Sequence, residues 1–409
     1  MAAMATVLLL LLAGLALLPA ATAQQHGILN ATADCPGVDG SGTTDVTLPL
    51  QACIEKAYGG NLALFLPAGR YLVSDTLAVN QSGGGADQVN IVRERFRPNT
   101  LVGATSALPQ RPTIVLKARS AGFGNNSAPR NVMKISNPSS EDVNMNQAIR
   151  GIDFEVEAGN PGAIALFFHG AQGGVIQDVT VRLAADSFAG LAGGGGAGTS
   201  HVNVEVVGGV HGIYFLESEP TPVLVNARLF NQSGTAIVAS HEQTLVVAGL
   251  HISRSPEATG PAIRAYWSGH QNNAQLSISD SVIECGGDGT TVAVSATTSL
   301  YMRNVFTRGC AAMADQPGTR HASAPAATPS STTEEEAQLG WSVVHELARG
   351  VDCPASMADL GKVNVTMDVI YADGKRMLHA TIQNISTVAA PPPTVLNQHR
   401  YASAPQLLQ

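Results

Sequence analysis

The sequence has few charged and few aromatic residues: Asp, Glu, Lys and Arg make up 13% of its 409 residues, and Phe, Trp and Tyr 5%. The scarcity of Lys and Glu, beside 42 glycines, disfavours long helices and favours short strands with tight turns. The net charge of −8 gives no basis for expecting nucleic acid as a partner, because phosphate binding needs a basic face. A heavily anionic polymer would need a locally basic site or a cation.

Long apolar runs are also absent after the first twenty residues. Residues 7–18 are apolar, but twelve residues are too few to cross a bilayer, which takes about 20 in a helix. Small residues and then Gln24 follow, which predicts a cleaved signal peptide over residues 1–23, with a signal anchor as the alternative. We therefore expect a secreted, extracellular protein that does not act at a membrane.

Two series of short strands repeat through the centre of the chain with one period. The first inward-type residues of the first series are Ile152, Val179, Val202, Ala227, Leu250, Val282 and Val305. Those of the second series are Ile164, Leu191, Ile213, Ile237, Ile263 and Val292. In both series the mean spacing is about 25 to 26 residues, the length of one coil in a solenoid.

This period predicts an all-β fold, a right-handed parallel β-helix. No amphipathic helix of crossover length lies between the strands, which excludes a βαβ fold. A β-sandwich is the alternative, but it requires no constant period. Stacked coils would place Ile164, Ile213, Ile237 and Ile263 in one inward column of one sheet.

The five cysteines have no zinc-type spacing, and disulfides are expected in an exported chain. Cys310 follows Cys285 by 25 residues, one repeat, so the two should meet on adjacent coils. Cys35 and Cys53 would then join the N-terminal turn to a helix, which leaves Cys353 free. Six glycosylation sequons also fit an exported glycoprotein: Asn30, Asn80, Asn125, Asn231, Asn364 and Asn384.

Both ends of the chain differ from the repeats. Residues 49–58 predict a short helix with Leu50, Cys53, Ile54 and Ala57 on one face, which would cap the open end of the solenoid. We assign residues 24–312 to the β-helix, 313–338 to a Pro/Ser/Thr-rich linker, 339–387 to a small C-terminal hairpin or cap, and 388–409 to a disordered tail.

The N-terminal stretch DGSGTTDVTLPLQACIEKA, followed by LFLPAGRYLVSDTL, resembles the opening of the pectate-lyase superfamily domain, the rhamnogalacturonase or epimerase-like β-helix. That family typically opens with a Gly/Asp-rich turn, a helix and an "LPAGTYL" segment. The resemblance covers roughly residues 34–312. It implies the fold but not the reaction, because the superfamily includes hydrolases, lyases, epimerases and non-catalytic members.

Candidate site residues come from aligning the second strand series by its anchors. Residues four past each anchor form a predicted ladder of Phe168, Glu217, His241, Trp267 and Ala296, and Tyr214, Arg264 and Tyr266 lie beside it. We expect Glu217 as the main catalytic carboxylate, Glu219 or Glu242 as its partner, and His241 as the residue that tunes it. Tyr214, Arg264, Tyr266 and Trp267 would bind sugar. The alternative is that Glu217 and Glu219 are solvated turn residues and that Trp267 packs under a loop.

Polygalacturonase-type hydrolases of this superfamily carry the motifs NTD, DD, GHG and RIK. The corresponding places read Asn160-Pro-Gly, Asp186, Val-His211-Gly and Ile-Arg264-Ala. Because of these departures the mechanism is not carried over, and His211 is equally well a turn histidine. Asp153, Glu155 and Glu157 form a second acidic patch, either a solvated face or a calcium site.

The expected function is that of a secreted carbohydrate-active protein that hydrolyses glycosidic bonds in a polysaccharide. A non-catalytic polysaccharide-binding protein and a polysaccharide lyase are the alternatives. We expect a monomer without a cofactor, with calcium only if the protein is a lyase.

Overall fold

The structure is a computed structural model of the chain. It describes residues 27–60, 62–80, 100–103, 111–136, 146–170, 173–195, 198–218, 222–241, 244–266, 275–287, 289–297, 299–315, 340–349, 371–372, 375–376, 382–388 and 390–392. The predicted signal peptide, Glu219, Glu242, Trp267 and Cys353 lie outside these ranges.

The described chain winds through three parallel sheets, once per coil, as a right-handed β-helix. Sheet 1 contains β1 (Ile28–Asn30), β3 (Ala63–Leu66), β6 (Thr100–Gly103), β9 (Ala148–Arg150), β16 (Val223–Val225) and β19 (Leu245–Ala248). Sheet 2 contains β2 (Ser41–Asp45), β4 (Arg70–Val73), β7 (Thr113–Leu116), β10 (Asp153–Val156), β17 (Arg228–Phe230) and β20 (His251–Ser253). Four longer strands run through both sheets: β12 (Val175–Leu183), β14 (Ser200–Val207), β22 (Gln275–Glu284) and β24 (Ser299–Arg308).

Sheet 3 completes each coil. It consists of β5 (Leu77–Asn80), β8 (Arg130–Ser136), β11 (Ala163–Phe168), β13 (Ala189–Gly193), β15 (His211–Ser218), β18 (Ile237–His241), β21 (Ile263–Tyr266), β23 (Val292–Ala296) and β25 (Ala312–Asp315). The predicted fold class is therefore confirmed.

A single left-handed residue makes the corner between sheets 1 and 2 in coil after coil. Asp178, Asn203, Asn226, Asp280 and Asn304 hold positive φ angles there, between 49° and 55°. Asn and Asp tolerate this conformation better than other side-chain-bearing residues. Their side chains also join across coils: the Asn203 amide donates to Asp178 Oδ1 at 2.9 Å, and the Asn304 amide to Asp280 Oδ1 at 2.7 Å.

The inward columns confirm the period but correct four anchors. In sheet 3 the inward column of Ile213, Ile237 and Ile263 continues through Leu191 to Leu166, so the predicted anchor Ile164 lies two residues too early. At the other end of the column Val294, and not the predicted Val292, pairs with Ile263. Ile164 instead packs in an outward cluster.

In sheets 1 and 2, two of the predicted inward residues, Val202 and Val282, are also not the ones that occupy the predicted inward column. Val202 pairs with Gln177 and Val225 in sheet 1, and Val204 takes its expected place opposite Val179. Ser281, not Val282, pairs with Val305 inside the solenoid, where its hydroxyl accepts a bond from Leu250 N at 3.1 Å. Several apolar residues stand close together at these places, so apolar character alone did not identify the inward one.

The N-terminal prediction is confirmed. The short helix α1 (Ala31–Asp34) precedes α2 (Thr47–Gly59), whose buried face is formed by Leu50, Cys53, Ile54 and Ala57 together with Thr47. Both predicted disulfides are present, Cys35–Cys53 and Cys285–Cys310, with Cα atoms 5.6 and 5.3 Å apart.

At the other end the chain reverses direction. Strand β26 (Trp341–Arg349) adds antiparallel to β24, and β29 (Ile382–Val388) adds antiparallel to β26. The short strands β27 (Tyr371–Ala372) and β28 (Lys375–Arg376) pair antiparallel with each other. The C-terminal strands therefore extend sheets 1 and 2 beyond β24, their last parallel strand.

Candidate functional site

One column of outward side chains crosses the outer face of sheet 3. It runs through Lys134, Phe167, Ala192, Tyr214, Val238 and Arg264 on six consecutive strands. Parallel strands hold residues of equal register about 4.8 Å apart, so these side chains are neighbours along the solenoid axis.

Four rings gather around this column, and we call Phe167, Phe188, His211 and Tyr214 the aromatic face. The Phe188 ring lies edge-on to Tyr214 at 4.9 Å and to His211 at 5.5 Å between centroids. His211 and Tyr214 lie 5.1 Å apart at a shallow angle of 33°. Phe167, Phe188 and Tyr214 are partly buried against the outward cluster of Ile164, Ala189 and Ala192, which holds the rings in place.

His211 is oriented by a hydrogen bond. Its Nδ1 lies 2.8 Å from the carbonyl oxygen of Thr235, which can only accept, so the proton is on Nδ1 and Nε2 keeps its lone pair. Burial lowers the pKa of His211, and the Thr235 carbonyl offsets part of that effect. A neutral imidazole with a free Nε2 can accept a hydrogen bond or a proton from a ligand hydroxyl.

Cations lie at both ends of the column. Lys134 Nζ is 5.7 Å from the centre of the Phe167 ring. The exposed Arg264 has its guanidinium carbon 5.4 Å from the centre of the Tyr266 ring. The face therefore combines apolar rings with positive charge, although the chain as a whole is acidic.

The structure tests only part of the predicted site. Side chains are described for Tyr214, Arg264 and Tyr266, and only the backbone for Glu217 and His241. Tyr214 and Arg264 share the outward column, and Tyr266 pairs with Ser240. The roles proposed for Glu217, Glu219, His241, Glu242 and Trp267 stay predictions.

The alignment behind the predicted ladder is wrong. A register shift between Phe215 and Ser218 makes Ser218, not Glu217, pair with His241. Phe168 pairs with Gly193 and Ile135, and Ala296 with Ala265, in a different column. A one-residue bulge moves every later side chain by one place, and the strand sequence carries no sign of it.

The outer face of sheet 2 has a different chemistry. We call it the ionic face, because its carboxylates are bound by basic side chains from other coils. Asp153 is 7% exposed; its Oδ1 lies 2.9 Å from Arg111 Nη2 and accepts a bond from Thr180 N at 2.9 Å. Burial raises the pKa of Asp153, and Arg111 offsets part of the rise.

The other acids of the ionic face are also paired with basic side chains. Arg70 donates two bonds to Glu155, at 2.9 and 3.0 Å, and this lowers the pKa of Glu155. Glu205 pairs with Arg228 at 2.7 Å. Glu284 lies between His251 and Arg308, and both lower its pKa.

The acidic patch predicted at Asp153, Glu155 and Glu157 therefore lies within a paired network. Glu157 also has a partner, since it accepts a bond from Ala118 N at 2.8 Å. Calcium at this patch would have to displace these partners. Among the described residues, no group of three or more His, Cys, Asp or Glu side chains is arranged to hold a metal ion.

Two of the motif positions noted in the sequence have clear surroundings. Asn160 is fully buried, accepts a bond from Ser120 N and donates to the Lys117 and Glu157 carbonyls, so it holds a turn together. Asp186 is exposed in the turn before Phe188. Phe188 was missed in the sequence because it precedes its strand; aligning it with Val210, the residue before His211, would have indicated its place beside the column.

Comparison with known proteins gives one family and several distant structures. The model of the family described as rhamnogalacturonase A/epimerase, pectate lyase-like, matches residues 33–260, more than half of the chain. No match was found among curated proteins.

The similar solved structures include the catalytic domain of Agl-KA, at 13% identity and a TM-score of 0.36, with 70% of this chain and 56% of that one covered. The catalytic unit of a thermostable GH87 α-1,3-glucanase from Streptomyces thermodiastaticus strain HF3-3 is 15% identical with a TM-score of 0.32, and 74% of this chain and 68% of that one are covered. The phiAB6 tailspike, in complex with oligosaccharides of Acinetobacter baumannii surface polysaccharide, is 14% identical with a TM-score of 0.32. Here 85% of this chain and 61% of that one are covered. These values are too low to inform on activity.

Proposed function

The chain belongs to the rhamnogalacturonase A/epimerase, pectate lyase-like family, and on this premise we propose that it is an exported protein that binds a polysaccharide along the outer face of sheet 3. The observation that carries the proposal is the aromatic face, since rings held partly exposed beside hydrogen-bonding groups suit the apolar faces and hydroxyls of sugars.

The dimensions of the face support an extended ligand. From Phe167 to Arg264 the column crosses four strand intervals, or about 19 Å at about 4.8 Å each. The rings of Phe167 and Tyr214 and the side chain of Arg264 lie on that line, and the His211 imidazole lies beside Tyr214. A chain of sugars lying along the solenoid axis would meet a new side chain at each coil.

Binding can be tested with matched aromatic variants. We expect Tyr214→Ala and Phe167→Ala to weaken binding in a polysaccharide panel by about tenfold each. Phe230→Ala removes a ring of similar burial from the ionic face and is the control. Equal losses in all three variants, or no binding by the wild type to any polymer in the panel, would refute the proposal.

Hydrolysis is the second candidate function, and the bulge in β15 favours it. Glu217 lies in that strand, three residues after Tyr214, at the irregularity between Phe215 and Ser218. Bulges often occur beside active sites, where they redirect a side chain. In this proposal Glu217 is the acid or base and Glu219 or Glu242 is the second carboxylate. His241 tunes Glu217 from the next strand, where it pairs with the adjacent Ser218. Arg264, Tyr266, Trp267 and Tyr214 hold the sugar.

The hydrolytic proposal predicts that Glu217→Gln lowers turnover by at least about 100-fold, the loss expected for a general acid or base. Glu157→Gln, a carboxylate change on sheet 2, is the control and should keep turnover. New reducing ends would identify a hydrolase, and ultraviolet absorbance of unsaturated products would identify a lyase. Full turnover in Glu217→Gln would place the chemistry elsewhere.

Export is part of the same proposal. Two disulfides fit an oxidising compartment. No helix in the described ranges is both long and apolar enough to cross a membrane. Asn125 and Asn231 are exposed in turns after sheet 2, so these two sequons are accessible to glycosylation. Peptide mapping of the secreted protein after deglycosylation tests both positions.

A further inference from the structure

A histidine lies inside the solenoid, directly behind the aromatic face. His201 is on β14 and continues the inward column of sheet 1 between Ile176 and Leu224. It is 1% exposed, neither of its ring nitrogens makes a hydrogen bond of normal geometry within the described residues, and only the backbone of Ser200 lies close enough to favour its charged form. An apolar residue of similar size would fill this position at lower cost, because an unpartnered buried polar group is unfavourable.

The ring contacts two phenylalanines that point inward from sheet 3. Phe168 and Phe215 each meet it edge-on, at 5.9 and 5.6 Å between centroids. Phe168 follows Phe167 in the chain and Phe215 follows Tyr214, so each inward ring is one residue from an outward ring of the aromatic face.

Phe168 has little room to move on its other side. A Cβ atom at Gly174 would lie 3.2 and 3.3 Å from two atoms of its ring, so the ring packs directly against that glycine. A change in volume or hydration at His201 is therefore transmitted to β11 and β15.

We propose that His201 is a positioning residue for the ligand face: its neutral ring holds Phe168 and Phe215 in place, and its protonation displaces them and, through the same strands, Phe167 and Tyr214. This inference rests on the proposed function, because it takes the aromatic face to be the ligand surface.

The chemistry around the ring supports this role. The side chains known to touch or flank His201 are Phe168, Phe215, Ile176 and Leu224, none of which carries charge. Burial lowers the pKa of His201 to about 4, and only the Ser200 backbone offsets this. A protonated ring is therefore stable only if the packing opens to water. The other histidines of these two strands and their ends lie on the outer side of sheet 3, where His169 contacts Phe167 and His211 contacts Phe188.

The test compares pH profiles of the wild type and His201→Leu, which matches the neighbouring Leu224. For the polysaccharide bound most tightly in the panel, we expect wild-type affinity to fall at least about threefold more than that of His201→Leu between pH 6.5 and pH 4. The affinities at pH 7 should agree within about twofold. His201→Met is a second variant should the leucine form fail to fold.

Hydrogen exchange separates failure of this inference from failure of the proposed function, since it needs no ligand. After correction for intrinsic rates, exchange in peptides covering β11 and β15 should rise on acidification in the wild type and not in His201→Leu. Peptides from β22 and β24 should behave alike in both proteins. The inference is overturned if the pH profiles of binding and of exchange are the same in His201→Leu as in the wild type. If no polymer binds, the comparison of exchange profiles alone tests the inference.

Discussion

The outer faces of sheets 2 and 3 have the same backbone geometry and opposite chemistry. On sheet 2, acids and bases from different coils pair, as Asp153 does with Arg111 and Glu205 with Arg228. On sheet 3, the corresponding column is apolar and aromatic in its middle and has a cation at each end. The ionic face therefore joins coils to each other, whereas the aromatic face is the surface that we propose for the ligand.

The two faces also differ in whether their polar groups already have hydrogen-bond or ion-pair partners. The carboxylates of the ionic face already have partners, so a ligand there would have to break existing ion pairs. On the aromatic face, His211 uses Nδ1 to bind Thr235 and so keeps Nε2 available as an acceptor. Substitutions on sheet 3 should therefore change ligand binding, and substitutions on sheet 2 should change the stability of the fold.

The largest expected effect is on the ionic face. Arg111→Met would leave Asp153 buried without its cation, and we expect the free energy of unfolding to fall by about 3–5 kcal/mol. Arg70→Met is the control, because the Arg70–Glu155 pair is more exposed and should contribute below about 1 kcal/mol. Denaturant unfolding measures both, and equal losses would show that burial does not set the strength of these pairs.

The turn that joins the two faces should be the next most sensitive. Arg254 is 5% exposed, and its guanidinium donates to the carbonyls of Gly234, Thr259, Gly260 and Pro261. No carboxylate of the described ranges pairs with it, and burial lowers its pKa to about 10. Arg254→Met would leave these carbonyls without a donor, at a cost of about 2–3 kcal/mol in urea unfolding. A loss below about 1 kcal/mol would mean that water replaces the guanidinium.

Acid should weaken the region behind the aromatic face before the ionic face. The unfolded state binds a proton on His201 below its ordinary pKa of 6.5, whereas the folded state resists until about 4, so stability falls across that window, by about 2 kcal/mol at pH 5. Glu155 and Glu284 have lowered pKa values, so their contribution is lost only as pH falls below the ordinary glutamate value of 4.5. Unfolding free energies at pH 7 and pH 5 check this; a wild type and a His201→Leu variant that lose the same stability would contradict it.

The smallest effect concerns the cation at the end of the aromatic face. Arg264 is exposed and lies near the Tyr266 ring, so Arg264→Gln should leave unfolding unchanged and weaken polysaccharide binding by about threefold. Isothermal titration at two salt concentrations measures this. A change in stability without a change in affinity would assign Arg264 to the same structural role as the arginines of sheet 2.

Much of the fold was predictable from the sequence because repetition makes a weak local pattern strong. Cys285 and Cys310 illustrate this: one period of 25 residues placed them on adjacent coils, and the structure joins them. The α2 helix followed from its single apolar face. Ile213, Ile237 and Ile263 fell into one column for the same reason, since in each coil the isoleucine lies at or near the start of its strand.

The site was less predictable because a ladder depends on register to a single residue. The shift between Phe215 and Ser218 separated Glu217 from the position of His241, and Ile164 was mistaken for Leu166 because both are apolar on one strand. The partners of Asp153 and Glu155 were also unforeseen: Arg111 and Arg70 lie 42 and 85 residues away in the chain, and nothing local links them.

The sequence by itself determined the coil length (the number of residues between equivalent strands), the N-terminal helix and the disulfide pairs, because each depends on spacing along the chain. Only the tertiary structure decided which side chains share a column, which acids are neutralised and which histidine is buried without a partner. Those properties depend on stacking, where a shift of one residue exchanges the inside of the solenoid for the outside and so determines whether a side chain meets the core, another coil or a ligand.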